Sequence, residues 1–139
     1  MIVYALDSNI VSYFLKGNQT IVDKIQVENN KGNQFVIPPI VYFEIQNWLL
    51  KNNSKSKTTV FRKMYSAGGI GVIDKAVLDI ASTVKLKMQQ QGKGISDDDL
   101  FIAAYCIRHN LPLVTNNTSH FINIENLEII NWADKKNGM

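Results

Sequence analysis

The stretch IVYALDSN, residues 2–9, decides the fold class. Ile2 to Leu6 are apolar and partly β-branched, do not alternate with polar residues, and stop abruptly at Asp7. A short, uninterrupted apolar run reads as a strand buried on both faces. Such strands belong to parallel sheets, whose crossovers are helices. Ser8 or Asn9 is placed to cap a short helix carrying Ile10, Val11, Phe14 and Leu15, which Gly17 stops.

Working outward, the same alternation recurs. Ile21 and Ile25 lie in a second helical stretch that ends in polar residues at Asn29 to Asn33. Phe35-Val36-Ile37 reads as a strand closed by Pro38-Pro39. Val41, Ile45, Trp48 and Leu49 then repeat at helical spacing, with Glu44 among them. Polar residues from Lys51 to Lys57 interrupt that pattern before Val60, Phe61, Met64 and Tyr65 resume it, and Gly68-Gly69 ends it. Gly71-Val72-Ile73 is expected to be a central strand. A long amphipathic helix is expected over 75–91, on the spacing of Ala76, Ile80, Val84 and Met88. Ser96 caps a helix over about 97–109 with Ile102, Ala103, Cys106 and Ile107 inward. Strands follow over 111–115 and 127–132, with a turn at Asn116-Asn117. Strands alternating with helices predict an α/β fold whose central parallel sheet is covered by helices on both faces.

The bulk properties narrow the function classes. At 139 residues the chain has the length of one domain, and its 45% hydrophobic and 19% charged residues exclude a disordered chain. No apolar run approaches the roughly 18 residues of a membrane span, and MIVYALDSN lacks the basic start of a secretory signal. The lone cysteine, Cys106, excludes a disulfide framework within the chain, which fits a reducing cytoplasm. The formal charge of +3 is compatible with a phosphate-rich partner, as with many mildly basic cytosolic proteins. Lys51, Lys55, Lys57, Arg62 and Lys63 crowd one short stretch, either a solvated helical face or a nucleic-acid contact.

In open α/β sheets ligands gather at the carboxyl ends of the strands. Asp7 stands directly after the first strand, Glu44 in the first turns of the helix after the second, and Asn117 after the strand ending at Thr115. Asp99, in the first turn of its helix, is able to point to the same end. Carboxylates held close together raise one another's pKa, so the cluster is costly unless a cation neutralises it. Mg²⁺ or Mn²⁺, hard ions that take oxygen ligands, would do so. No cysteine–histidine spacing for zinc is present, and no Gly-rich phosphate loop. Each residue also has a local role open to it. Asp97, Asp98 and Asp99 suit a helix N-terminus, Asp99 the acidic position of a capping box, Asp7 a cap, and Asn116-Asn117 a turn.

Taken together, LDSN at 6–9, PPIVYFEI at 38–45, DLFIAA at 99–104 and LVTNNTSHF at 113–121 resemble the PIN-domain family, in particular VapC-type toxins of bacterial toxin–antitoxin pairs. The closing LEIINW at 127–132 resembles the family's final strand, and the likeness covers essentially the whole chain. The resemblance implies a three-layer α/β/α fold, with one domain over 1–135 and a short tail over 136–139. It implies that Asp7, Glu44 and Asp99 hold Mg²⁺ or Mn²⁺, with Asp97 as a further ligand and Asn117 completing the catalytic set. Ser8, Asn9, Thr115, Asp98 and His120 are supporting candidates. His120 departs from the pattern, standing where many relatives carry an acid just before the phenylalanine.

The resemblance further implies hydrolysis of an RNA phosphodiester, with tRNA or another structured RNA as substrate. A cognate antitoxin, a homodimer and a cytoplasmic setting are implied with it. Two other readings are weighed against this. One is a catalytically idle PIN-like module that binds RNA or protein, with His120 as its support. The other is a phosphatase or phosphate-receiver domain. A phosphatase wants a second Asp two residues after the first, where this chain has Asn9, and a receiver's acidic pair and late lysine are missing.

Overall fold

The computed structural model describes residues 1–66 and 68–133; the expected domain end at 135 and the tail over 136–139 lie outside them. Among the described residues four parallel strands form one sheet: β1 (Val3–Leu6), β2 (Gln34–Val36), β3 (Leu113–Val114) and β4 (Ile129–Ile130). Their order is β2-β1-β3-β4, which puts β1 inside the sheet. Tyr4, Ala5 and Leu6 are accordingly buried, as an unalternating apolar strand must be.

Among the described residues seven helices connect and cover the sheet: α1 (Ser8–Leu15), α2 (Gln19–Asn30), α3 (Pro39–Asn52), α4 (Lys55–Ser66), α5 (Lys75–Gln90), α6 (Asp97–Arg108) and α7 (Thr118–Phe121). This is the expected three-layer α/β/α arrangement. One core cluster runs through Leu6, Ile10, Val11, Val41, Ile45, Ile102, Leu113 and Val114. A second joins α5 to α6 through Val77, Ala81, Leu100, Ala104 and Tyr105.

Three expectations need correction. Gly71-Val72-Ile73 is not a strand, and the sheet has four strands instead of five. Only Ile70 makes a bridge there, to Ile37 beyond the end of β2, which places it at the sheet's edge. The cause is that Val72 is 69% exposed, so the segment lacks the two-sided burial of a central strand. The cap of α1 is Asp7, whose carboxylate accepts from the Ser8 amide, and neither Ser8 nor Asn9 takes that place. Finally, β3 and β4 are two residues each, shorter than the stretches expected over 111–115 and 127–132, and a one-turn helix at Thr118–Phe121 follows the Asn turn.

The order of the strands positions the site. From β1 the chain moves outward to β2, and later returns to the other side of β1 as β3. The helices that leave neighbouring strands at such a reversal diverge and open a crevice at the strands' carboxyl ends. Leu6 pairs with Val114, so the next residues, Asp7 and Thr115, emerge side by side at that crevice.

Candidate active site

Asp7 is the fixed point of the site. It is 4% exposed, and its carboxylate accepts three hydrogen bonds. The Ser8 amide donates to Oδ1 at 2.8 Å, the Thr115 hydroxyl to Oδ2 at 2.7 Å and the Asn9 amide side chain to Oδ2 at 3.1 Å. Burial pushes its pKa up and Asp99 adds to the rise, while those three hydrogen bonds only partly oppose it. A carboxylate that remains raised despite three donors needs further positive charge to be stable ionised.

Glu44 is brought to Asp7 through Ser8, whose hydroxyl donates to Glu44 Oε1 at 2.5 Å. Pro38 and Pro39 start α3 at the end of β2, so its second turn presents Glu44 toward the start of α1. Burial raises the Glu44 pKa, and repulsion from Asp98, Asp7 and Asp99 raises it further against the Ser8 hydrogen bond. The four acids therefore sense one another, although they come from three elements.

Ser96 caps α6 by accepting from the Asp99 amide at 3.2 Å. This turns the first helical turn toward the crevice. Asp99 Oδ2 lies 2.9 Å from His120 Nδ1, so one of its oxygens is engaged by the histidine. Asp97 is turned to Lys85 at 3.1 Å, and it is not among the acids that act on Asp7 or Glu44. Asp98, named from sequence only as a supporting residue, is electrically the closer of the two to Glu44.

The turn after β3 closes the other side. Thr115 is fully buried; its hydroxyl donates to Asp7 and accepts from the Asn117 amide at 2.9 Å. The Asn116 amide donates to Asn9 Oδ1 at 2.9 Å. Asn117 begins α7 without a capping hydrogen bond from its side chain, which leaves the carboxamide available to a ligand. Tyr13 was not anticipated. Its hydroxyl accepts from the Asn116 side chain at 3.0 Å, and the signal was its place four residues after Asn9 on one helical face.

The donor chemistry fits a hard dication. Every acid is an oxygen ligand, Asp7 Oδ1 accepts one hydrogen bond only, and Asp99 Oδ1 and Glu44 Oε2 accept none among the described residues. The same residues do not form a closed cage: no three His, Cys, Asp or Glu side chains are grouped to enclose an ion. That suits Mg²⁺, which keeps several waters and is often held through one or two carboxylates.

The site thus joins a buried aspartate at a strand-order reversal to acids of two other helices. A family model for the PIN domain matches residues 4–127. The chain belongs to the PIN-domain family. Among curated relatives, Ribonuclease VapC2 of Rickettsia felis is 30% identical, over 94% of this chain and 98% of the relative. Ribonuclease VapC1 of Haemophilus influenzae is 22% identical over the same shares. Among solved structures, VapBC2 of Rickettsia felis bound to a promoter DNA fragment superposes with a TM-score of 0.81 at 28% identity, covering 94% of this chain and 99% of that one. DNA-bound VapBC of Salmonella typhimurium has a TM-score of 0.80 at 20% identity, covering 96% of this PIN domain and 100% of that chain. At that identity the likeness speaks for the fold alone.

Proposed function

We propose that this PIN domain is a ribonuclease that hydrolyses RNA phosphodiester bonds, as the toxin of a toxin–antitoxin pair. The observation that carries the reading is Asp7, buried, triply hydrogen-bonded and still raised in pKa, beside Glu44 and Asp99. The curated relatives named ribonuclease support the reaction, and the solved VapBC structures support an antitoxin partner.

In this reading Asp7, Glu44 and Asp99 line the Mg²⁺ or Mn²⁺ site, one or two of them as direct ligands and the rest through the ion's waters, with Asp97 as a more distant candidate. Bound there, the ion would supply an activated water and would neutralise charge on the phosphoryl oxygens. Thr115, Asn9 and the Ser8 amide fix the Asp7 carboxylate in one orientation, and the Ser8 hydroxyl fixes Glu44. In this reading the Asn117 carboxamide, free of a capping hydrogen bond, donates to a phosphate oxygen. Asp98 adds to the negative potential on Glu44. His120 fills the place of an acid and holds Asp99. A homodimer and a cytoplasmic setting complete the proposal. Phe43 and Leu50, one face of α3 at 64% and 69% exposure, support burial in an assembly, and no described helix is long and apolar enough to cross a membrane.

The test is cleavage of a labelled structured RNA by the chain purified free of any partner. Cleavage is expected in Mg²⁺ or Mn²⁺, lost in EDTA, and reduced more than about 100-fold by Asp7→Asn or Asp99→Asn with the circular dichroism spectrum kept. Intact RNA with both ions refutes the reading. One observation favours an idle RNA- or protein-binding module instead: the hold of His120 on Asp99. Calorimetry with Mn²⁺ separates the two, since an enzyme binds the ion saturably and Asp99→Asn weakens it.

A further inference from the structure

Between Glu44 and Asp74 the chain contains no acid and five cations: Lys51, Lys55, Lys57, Arg62 and Lys63. Setting these five aside turns the formal +3 of the chain into −2. The stretch is the end of α3 and the whole of α4, two helices joined at Asn53, whose left-handed backbone (φ 49°) ends α3.

Outside the hairpin five lysines are neutralised locally, while Lys16, Lys93 and Arg108 stand singly, far apart in the sequence. Lys24 and Lys31 flank Glu28, Lys75 pairs with Asp79, Lys85 with Asp97 and Lys87 with Glu125, all within 3.7 Å. None of the five hairpin cations is in an ion pair among the described residues. A solvated face chosen for solubility alone would intersperse both signs.

The hairpin is also rigid. On α4 the inward face is Phe61 and Tyr65, which pack on Tyr42 of α3 at centroid distances of 5.7 and 5.3 Å, and on each other at 5.2 Å. Lys55, Arg62 and Lys63 are exposed, within an arc of about 100° on the side of α4 away from Phe61, and spread over about 12 Å of axis. Tyr42 stands two residues before Glu44, so one helix carries the acid of the crevice and the base of the cationic arm. Without its ion the acid pocket repels an RNA backbone, so attraction in the absence of dications comes from another surface.

We propose that the exposed face of α4, with Lys55, Arg62 and Lys63 at its centre, is an RNA-docking surface that binds backbone phosphates beyond the scissile bond. This rests on the ribonuclease reading and names where its substrate is gripped. The grip is electrostatic and independent of sequence, and each phosphate contact releases counterions, so binding weakens steeply with salt.

The experiment uses the full chain with a fluorescent hairpin RNA in EDTA, and reads anisotropy against salt. The triple variant Lys55→Gln/Arg62→Gln/Lys63→Gln is expected to bind at least tenfold more weakly at low salt. Its slope of log K against log salt should be shallower by about 2, from roughly 0.7 per lost contact. The control Lys75→Gln/Lys85→Gln/Lys87→Gln makes the same change in charge on α5 and should keep the unsubstituted affinity. In cleavage assays with Mn²⁺ the α4 variant should raise KM and keep kcat, as loss of uniform binding does.

An α4 variant that binds and cleaves like the unsubstituted chain overturns the docking surface while the ribonuclease reading stands. So does an α5 control that loses as much. Duplex DNA of equal length bound more tightly, with the same dependence on α4, assigns the surface to DNA and overturns RNA as the occupant. If the unsubstituted chain neither binds nor cuts RNA, both readings fall together.

Discussion

Two buried carboxylates in this protein are held in opposite ways. Asp7 and Glu28 are 4% and 3% exposed, and each accepts several hydrogen bonds. Glu28 accepts from the Tyr4 hydroxyl at 2.6 Å and from Asn33 and Lys31, with Lys24 close by, and that set lowers its pKa to about 2. Tyr4 is correspondingly raised to about 12, chiefly by the same hydrogen bond. Asp7 has hydrogen bonds but no cation, and burial leaves it raised. The first carboxylate is satisfied by the fold and is structural; the second is left short of positive charge. For Glu28 a lowered folded pKa means stability that is fully present above the ordinary glutamate range near 4.3 and lost as pH falls from there toward 2. The contribution is on the order of 2 kcal/mol, discounted because lysines at the surface supply part of it. Urea denaturation at pH 5 and pH 3 should show that loss in the unsubstituted chain and a much smaller one in Glu28→Gln. Equal losses in the two proteins would refute the assignment.

At the scale of elements, the segment from Gly68 to Asp74 shows how packing overrules pattern. GVI at 71–73 has strand-forming residues, yet pairs with nothing. Gly71 lies against the ring of Tyr105 on α6, where a Cβ would overlap the phenol. Tyr105 is 7% exposed and belongs to the α5–α6 core, so moving the ring disturbs its packing there. Gly71→Ala should therefore destabilise by about 1–3 kcal/mol through overpacking. Thermal melts of Gly71→Ala, Tyr105→Leu and the double variant should give a favourable coupling energy, because removing the ring makes room for the methyl. A Gly71→Ala protein as stable as the unsubstituted one would show that the contact is not tight. The same principle governs α6. Its three leading aspartates look alike in sequence, but Asp97 pairs with Lys85, Asp98 repels Glu44 and Asp99 contacts His120.

For the whole molecule, the acid crevice costs stability wherever its carboxylates are ionised. The pKa values of Asp7 and Glu44 are raised in the folded state, so protonation favours the fold. Their effect is stabilising below the ordinary carboxylate range and turns unfavourable as pH rises through their elevated values. At neutral pH without dications, Asp7→Asn should melt no lower than the unsubstituted chain. Mn²⁺ at ten times its dissociation constant should stabilise the unsubstituted chain by about 1.4 kcal/mol, raising Tm by roughly 4 °C. Asp7→Asn should show little of that rise. Calorimetric scans with and without Mn²⁺ check both, and a substituted chain that gains as much as the original would place the ion elsewhere.

The amino-acid order alone determined the class of fold, because two-sided burial of β1 and helical spacing in α3, α5 and α6 are local patterns that hydrophobicity imposes. It also marked Asp7, Glu44, Asp99 and Asn117, since an acid or amide at the end of an apolar strand or in a first helical turn stands out against its neighbours. Strand order, the edge position of Ile70 and the burial of Glu28 were decided only by the tertiary structure. So were the sorting of Asp97 from Asp98, the Thr115–Asp7 bond across 108 residues and the absence of ion partners along α4 among the described residues. Each of these depends on which distant groups end up within a few ångströms, and the strength of electrostatic and hydrogen-bonding interactions follows distance through space, not separation along the chain.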